Sequence, residues 1–403
     1  PARLRQLGTL TRVGRRAGML RKSDDRIRTL LPMTAEQLIS FARGAPSLDI
    51  VDVAGLRAAA GRAFDADPAG ITAYGTSVGY PPLRAWIAAK HGVDVDQVLI
   101  TNGSLQADAF LFDHMVHPGD DVVVERPTYD RTLLNLRNAG AKVHQVTLDA
   151  EGLVVDELRT LLAAGLRPTL AHIIPNFQNP AGVTLSAERR SALLALAREY
   201  NFIIFEDDPY ADVRFRGERL PSMLSMDTAE RVVHASSFTK TVCPGVRVGY
   251  LVGPRSVISA IAARATNLYI SPSMVSEAIV HQFCVSGDID RSIATVCAAL
   301  GERAGLLADA LRRHIPGATF TEPDGGYFLW VELPDGTDAA KVAATATARG
   351  VAVVRGSDFL LEGGHSALRL AFSAVTADQV DEGVRRLAAA IKDTHGRSEL
   401  SNT

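Results

Sequence analysis

The chain has little of what would cross-link it covalently or anchor it in a membrane. Its 403 residues include three cysteines, Cys243, Cys284 and Cys297, and their spacing fits neither a disulfide framework nor a zinc motif. No signal peptide is visible, and no uncharged apolar run approaches the length of a membrane span. We therefore expect a cytoplasmic protein with no metal ion and no membrane partner.

The chain also lacks an excess of charge. Lysine and arginine total 43 against 45 acidic residues, which gives a net charge of −2. This balance does not favour nucleic acid as the main partner, so a small molecule is the expected ligand. The first 28 residues are an exception, because nine basic side chains cluster there. We interpret them as a solvated N-terminal arm, with polyanion binding as the alternative.

Short β-branched runs alternate with longer amphipathic stretches from about Val98 onwards, which predicts an α/β fold with a mostly parallel sheet. Parallel sheets place ligands at the carboxyl ends of their strands. The predicted strands are 98–101, 121–125, 142–147, 170–174, 202–206, 231–235 and 247–252. The predicted helices between them are 104–117, 126–139, 154–164 and 186–200.

The pattern changes after about residue 288, where a long helix precedes strands predicted at 326–332, 351–354 and 368–372. This change predicts a second, smaller α+β domain. We expect residues 1–50 to form the N-terminal arm and part of this small domain. Residues 51–287 would form the large domain and residues 288–403 the remainder of the small one.

Lys240 ends the run Ser236-Ser237-Phe238-Thr239-Lys240, and Arg247 follows after a Pro-Gly turn. Hydroxyl groups before a lysine and an arginine after it suit a phosphate dianion whose own molecule carries an aldehyde for that lysine. Pyridoxal 5′-phosphate (PLP) is such a molecule. A surface lysine beside a turn is the alternative for this run alone.

Six further segments occur in a fixed order around this lysine. They are Tyr74-Gly75 with 79–84, 102–106, 127–129, 176–182, 206–210 and 368–370. Together with Lys240, they resemble a fold-type I PLP-dependent aminotransferase of the class I/II superfamily. The resemblance covers about residues 38–392. It is nearest to the 2-aminoadipate/kynurenine-type enzymes and to the aminotransferase-like domain of MocR-type regulators.

The resemblance implies a role for each cofactor residue. Gly103, Ser104 and Leu105 would begin a helix whose free N–H groups favour the phosphate. Ser237 and Arg247 would add donors to it. The resemblance also implies a homodimer, in which Tyr74 reaches the phosphate in the partner subunit. Leu105 occupies a position at which relatives commonly carry a polar residue.

The cofactor ring is implied to contact four other residues. Tyr129 would stack on the ring, and Asp207 would face its nitrogen. Asn179 and Tyr210 would bind the ring oxygen. Asp208 is expected to be a solvated acid or one that acts behind Asp207.

Arg369 matches the arginine that binds the substrate α-carboxylate in a bidentate manner. Asn176 is a weaker candidate for the same carboxylate. Arg43 and Gly44 occupy a place where relatives often carry two glycines. Arg43 would either meet a distal acidic group of the substrate or form a salt bridge across a dimer.

The implied function is amino transfer from an α-amino acid to a 2-oxo acid, with Lys240 forming the Schiff base and Asp207 and Tyr210 assisting. A cyclase, a β- or γ-substituting enzyme or an oxidase on the same scaffold is the first alternative. A PLP-sensing MocR-type regulator is the second alternative; we do not expect the roughly 40 residues before Phe41 to form the helices of its DNA-binding domain.

Overall fold

The computed structural model describes residues 38–401, with side chains through residue 394. The basic cluster of the predicted arm lies outside these residues. From residue 39 onwards, the chain forms one compact unit. None of the helices in the described part is long and apolar enough to cross a membrane.

The main sheet has eight strands in the order β2-β9-β8-β7-β6-β3-β4-β5. The five strands β8, β7, β6, β3 and β4 are parallel to one another. Strand β9 runs antiparallel between β8 and the edge strand β2, and β5 runs antiparallel at the other edge. The bounds are β2 Val98–Thr101, β3 Asp121–Arg126, β4 Lys142–Asp149, β5 Gly152–Leu153, β6 Leu170–Ile173, β7 Ile203–Asp207, β8 Val232–Ser237 and β9 Gly249–Val252. The predicted mostly parallel α/β sheet is confirmed.

Helices cover this sheet because apolar side chains on the strands face both ways and must be buried on both sides. Val122, Val123 and Val124 of β3, for example, are all fully buried. The helices between residues 53 and 285 are α1 Val53–Ala66, α2 Pro68–Thr72, α3 Pro81–His91, α4 Ser104–Met115, α5 Asp130–Asn138, α6 Val155–Ala163, α7 Ala187–Tyr200, α8 Met223–Met226, α9 Arg255–Tyr269 and α10 Met274–Val285.

A three-stranded antiparallel sheet, in the order β10-β13-β12, follows in the last part of the chain. Strand β1 pairs in parallel with β11, so the segment at residue 39 joins this C-terminal part. The strands are β1 Ile39–Ser40, β10 Phe328–Glu332, β11 Val351–Ala352, β12 Val354–Arg355 and β13 Ala367–Ala371, and the helices are α11 Asp288–His314, α12 Ala339–Ala348 and α13 Ala377–Ser401. The domain division at residues 50 and 287 stays a prediction.

Two predicted elements differ from the structure by more than two residues at an end or in their strand pairing. The helix predicted from residue 126 begins at Asp130, because Pro127 disfavours a helical conformation of the residue before it. The strand predicted over 351–354 is two strands: β11 pairs with β1, whereas β12 pairs with β13. The hydrophobic pattern does not reveal this change of partner.

Helix α11 offers a matched test of the C-terminal core. Leu307 is fully buried, whereas its neighbour Leu306 is 40% exposed. We expect Leu307→Ala to lower the free energy of unfolding by about 2–5 kcal/mol, because it leaves a cavity in a packed core. Leu306→Ala should change it by less than about 0.5 kcal/mol. Urea unfolding followed by circular dichroism measures both, and equal losses would contradict the described burial.

Candidate active site

Lys240 lies in the turn after β8, and its amino group is enclosed by aromatic rings and backbone. Nζ donates a hydrogen bond of 2.6 Å to the carbonyl oxygen of Gly44. It lies 5.3 Å from the ring centre of Tyr210 and 4.9 Å from that of Tyr327. Burial, assisted by the positive charge of Arg369, lowers the pKa of Lys240 to about 8. The Lys240 amino group is therefore uncharged in a fraction of the molecules near neutral pH.

A cavity of about 290 Å³ surrounds this amino group. It brings together eight of the residues proposed from the sequence, and these are Gly44, Ser104, Tyr129, Asn179, Asp207, Tyr210, Lys240 and Arg369. Phe328, Asp130, Arg131, Ile174 and Pro209 complete the lining. The residues come from the ends of several main-sheet strands and from β10 and β13, so the cavity depends on both sheets.

Asp207 ends strand β7 and is 5% exposed. Its Oδ2 lies 3.5 Å from Nε2 of His172, and its Oδ1 has no hydrogen-bond partner in the described structure. A buried carboxylate oxygen without a partner is costly unless a ligand donates to it. The sequence analysis did not identify His172. Its one signal was a histidine inside the otherwise apolar strand β6.

Gly103 precedes α4 and has a φ of +80°, which favours glycine. A Cβ at Gly103 would lie 2.2 Å from Nη2 of Arg247, which donates to the carbonyl of Asn102. A Cβ at Gly249 would lie 2.5 Å from the Gly103 carbonyl carbon and 2.6 Å from the Ser104 nitrogen. Because Gly103 and Gly249 have no side chains, β9 and the Arg247 guanidinium can lie close to the first turn of α4.

Ser237 lies next to this turn at the end of β8. Its Oγ donates to Thr239 Oγ1 at 2.7 Å or to the Val248 carbonyl at 3.2 Å. It also accepts from the backbone N–H of Thr239 at 3.1 Å. Hydroxyl groups, the amide groups at the start of α4 and Arg247 are the donors that a phosphate requires.

Arg369, on β13, is 7% exposed and enters the cavity from the C-terminal sheet. Nη1 donates to Oδ1 of Asn179 at 3.0 Å, and Nη2 donates to the Ala42 carbonyl at 2.8 Å. The guanidinium carbon lies 4.3 Å from the ring centre of Phe328 and 4.8 Å from that of Phe359. Its Nε has no partner among the described residues. A buried arginine held in this way is preorganised for a carboxylate.

Two proposed substrate residues do not reach this cavity. Nδ2 of Asn176 donates to Oδ2 of Asp208, and Oδ1 of Asn176 accepts from Nη2 of Arg190, both at 2.8 Å. These bonds hold Asn176 in another cavity. Arg43 is exposed and lines a third cavity, in a region with Pro46 and Leu48.

Three further expectations need qualification. Asp208 is not solvated, because it is 2% exposed; burial, then the charge of Glu206, raises its pKa to about 6. The Leu105 side chain is 43% exposed and does not line the Lys240 cavity. Tyr74 is 89% exposed, so it does not line the cavity of its own subunit.

PLP fits the arrangement on structural grounds. The unpartnered Oδ1 of Asp207 suits a protonated ring nitrogen, and the aromatic side chain of Tyr129 lines the same cavity. Gly103 and Gly249 allow Arg247 and the first turn of α4 to lie close together, and these donors suit a phosphate. Lys240 would supply an amine to the aldehyde of this cofactor.

The glycine beside the start of α4 provides a test of this fit. Gly249→Ala should weaken PLP binding tenfold or more, which is about 1.4 kcal/mol, because its methyl group displaces the backbone of Gly103 and Ser104. Gly245→Ala is the matched control, since its Cβ meets only Cys243 Sγ, at 4.0 Å. Absorbance titration of apoprotein with PLP measures both affinities. Unchanged binding by Gly249→Ala would contradict this location of the phosphate.

Comparisons with known proteins show which family the chain matches. Residues 36–387 match the family described as aminotransferase class I and II. The aromatic-amino-acid aminotransferase 1 of Thermococcus litoralis is 32% identical over 380 residues, covering 91% of each chain. The 2-aminoadipate transaminase of Thermus thermophilus is 31% identical over 385 residues, covering 94% of this chain and 96% of the relative.

Solved structures show the same similarity. The α-aminoadipate aminotransferase of T. thermophilus, complexed with N-(5′-phosphopyridoxyl)-L-leucine, superposes with a TM-score of 0.85 at 30% identity, covering 89% of this chain and 93% of that one. The kynurenine aminotransferase of Pyrococcus horikoshii, in complex with PMP, has a TM-score of 0.84 at 32% identity, covering 93% and 96%. The chain therefore belongs to the class I and II aminotransferases and is a PLP-dependent aminotransferase of fold type I.

Proposed function

We propose that Lys240 is the residue that binds PLP as a Schiff base and that it also moves the Cα proton of the amino acid. The supporting observation is the position of its amino group, whose pKa is lowered to about 8, in one cavity with Asp207 and Arg369. Bound PLP supplies an electron-withdrawing ring that weakens a bond at the substrate Cα. The protein residues bind, orient and carry the proton.

Lys240 suits proton transfer because an amine with a pKa near 8 exchanges protons readily near neutral pH. The faces of Tyr210 and Tyr327 limit where Nζ can lie. Burial raises the pKa of Tyr210 well above its usual value, so its hydroxyl stays protonated and is a hydrogen-bond donor. We assign this hydroxyl, with Asn179, to the cofactor ring oxygen.

Arg369 is assigned to the α-carboxylate of the substrate. Its guanidinium is desolvated by Phe328 and Phe359, which strengthens a charge-assisted hydrogen bond. Asn179 and the Ala42 carbonyl fix its orientation before the substrate arrives. Ionic recognition at this one point explains selection of α-amino and 2-oxo acids but does not specify their side chains.

Tyr74 is assigned to the phosphate in a partner subunit, which makes the active unit a homodimer. Its 89% exposure is consistent with a side chain that acts on another chain. Leu268 and Ile270 are also more than half exposed, as an interface requires. The three free cysteines are compatible with the cytoplasm.

The absorption spectrum of the PLP-loaded protein, followed during additions of amino acids, tests the function. The panel should include 2-aminoadipate, kynurenine and aromatic amino acids, because relatives are named for them. Conversion to a pyridoxamine-like spectrum with release of a 2-oxo acid is expected for at least one donor. Spectral change without oxo acid release across a broad panel would favour a cyclase or substitution reaction instead.

The lowered pKa of Lys240 predicts a pH dependence that is measurable without substrate. The rate of PLP incorporation into apoprotein should rise as pH increases through about 8, because the uncharged amine is the nucleophile. Arg369→Leu removes a neighbouring positive charge, so the pKa of Lys240 should rise and the profile should shift to higher pH. The exposed Arg355→Leu is the control and should leave the profile unchanged. An unshifted profile in Arg369→Leu would contradict the electrostatic assignment.

The shared site predicts complementation between two defective chains. Tyr74→Ala and Lys240→Ala homodimers should each have low activity. Mixed dimers obtained by refolding the two together contain one site with both native residues. With random pairing, activity should recover to about a quarter of the wild-type value, because half of the dimers are mixed and each has one intact site. No recovery despite mixed dimers, detected by mass spectrometry, would exclude contribution of Tyr74 across the interface.

A further inference from the structure

A second polar cavity, of about 430 Å³, lies beside strand β7. Asp207 lines the Lys240 cavity, whereas the next residue, Asp208, lines this one, because successive side chains of an extended chain point to opposite sides. Among the described residues, none lines both cavities. The transamination site makes no use of the second cavity.

Three buried side chains converge beside it. One ligand atom from each of Glu206, Asp208 and His234 lies within 4.8 Å of the other two, and this is the one such group found in the described part of the chain. The three residues are 0%, 2% and 3% exposed. The Glu206 carboxylate accepts two hydrogen bonds from the backbone at the start of α8. Oε1 lies 2.7 Å from the Met223 nitrogen, and Oε2 lies 3.1 Å from the Leu224 nitrogen.

Asp208 is the residue that points to a ligand. Its Oδ2 accepts from Asn176, but its Oδ1 is buried without a partner in the described structure. Arg190 does not satisfy this atom, because the guanidinium bonds to Asn176 and to backbone carbonyls of Leu185, Pro175 and Pro221. A buried carboxylate oxygen facing a cavity lacks a donor or a cation.

The surrounding charges allow a cation there. Lys90 and Arg219, which line the same cavity, both bind Asp212, at 2.7 and 2.8 Å. The Asp212 carboxylate therefore offsets part of the positive charge that Lys90 and Arg219 bring to this cavity. His234 Nδ1 lies 2.9 Å from Glu206 Oε2, and one proton occupies this contact in the metal-free protein.

We propose that Glu206, Asp208 and His234 bind a divalent transition-metal ion separate from the PLP site. Two carboxylates and one imidazole suit Zn²⁺, Co²⁺ or Mn²⁺, and the cavity leaves room for water as the remaining ligand. On binding, His234 Nδ1 gives up the proton that it shares with Glu206. A neutral imidazole moves its proton to Nε2, whereas an imidazolium keeps the Nε2 proton and releases the other to solvent, and no redox change is required. The ion would link the C-terminal end of β7, through Glu206 and Asp208, to His234 of β8.

Co²⁺ tests this site directly, because its ligand-field absorption lies at longer wavelengths than that of bound PLP. Tag-free holoenzyme should bind one Co²⁺ per chain in equilibrium dialysis, with a visible band typical of nitrogen and oxygen ligands, and Zn²⁺ should displace it. His234→Gln and Asp208→Asn should each weaken binding by at least about 10-fold, because even the loss of a residue that only orients a metal ligand costs about 10- to 100-fold. Circular dichroism and the metal-free thermal midpoint check that the variants fold.

His117→Ala is the matched control. His117 is a surface histidine whose side chain is 75% exposed and lies near Asp120, as an adventitious site would require. This variant should bind Co²⁺ as the wild type does. Failure of the wild-type holoenzyme to bind one ion per chain would overturn the proposal, whatever the variants do. Binding that survives in both Asp208→Asn and His234→Gln, or that His117→Ala abolishes, would also overturn it.

Discussion

The amino group of Lys240 has to be uncharged for part of the time if it is to act as a nucleophile. Burial achieves this by raising the free energy of the charged form, and Arg369 adds electrostatic repulsion. These two effects require parts of the chain that are far apart in sequence. Lys240 follows β8 of the main sheet, Gly44 lies near the N-terminal end of the described chain, and Arg369 lies on β13. The packing of the C-terminal sheet against the main sheet therefore forms the cavity and lowers the pKa of Lys240.

Strand β7 separates two sets of acidic groups. Its alternation directs Asp207 towards the Lys240 cavity and leaves Glu206 and Asp208 with His234 and Asn176. Asp207 keeps one oxygen without a partner, which suits a ligand that donates a proton. Three consecutive acids can coexist because each has a different environment, and a shift of one residue in the strand would exchange those environments.

Residues at the ends of strands were predictable from the sequence because their position follows from local structure. Gly103, Asp207 and Lys240 each follow or end a strand, and the parallel order places these ends together. Asn176 and Arg43 do not line the Lys240 cavity, because their positions depend on tertiary contacts, and their substrate roles stay predictions. Arg190, from a helix, holds Asn176 away from the cavity, and no pattern in the segment 176–182 reveals that bond. His172 was missed for the same reason, since its contact with Asp207 crosses from β6 to β7.

Reduction of the PLP-loaded protein with borohydride, followed by peptide mass spectrometry, tests the central assignment most directly. Reduction converts a Schiff base into a stable amine, so the modified lysine can be identified without an assay of turnover. The structure predicts one pyridoxyl group per chain, on the peptide that contains Lys240. A pyridoxyl group on a different lysine, or none on a protein that retains PLP, would contradict the assignment.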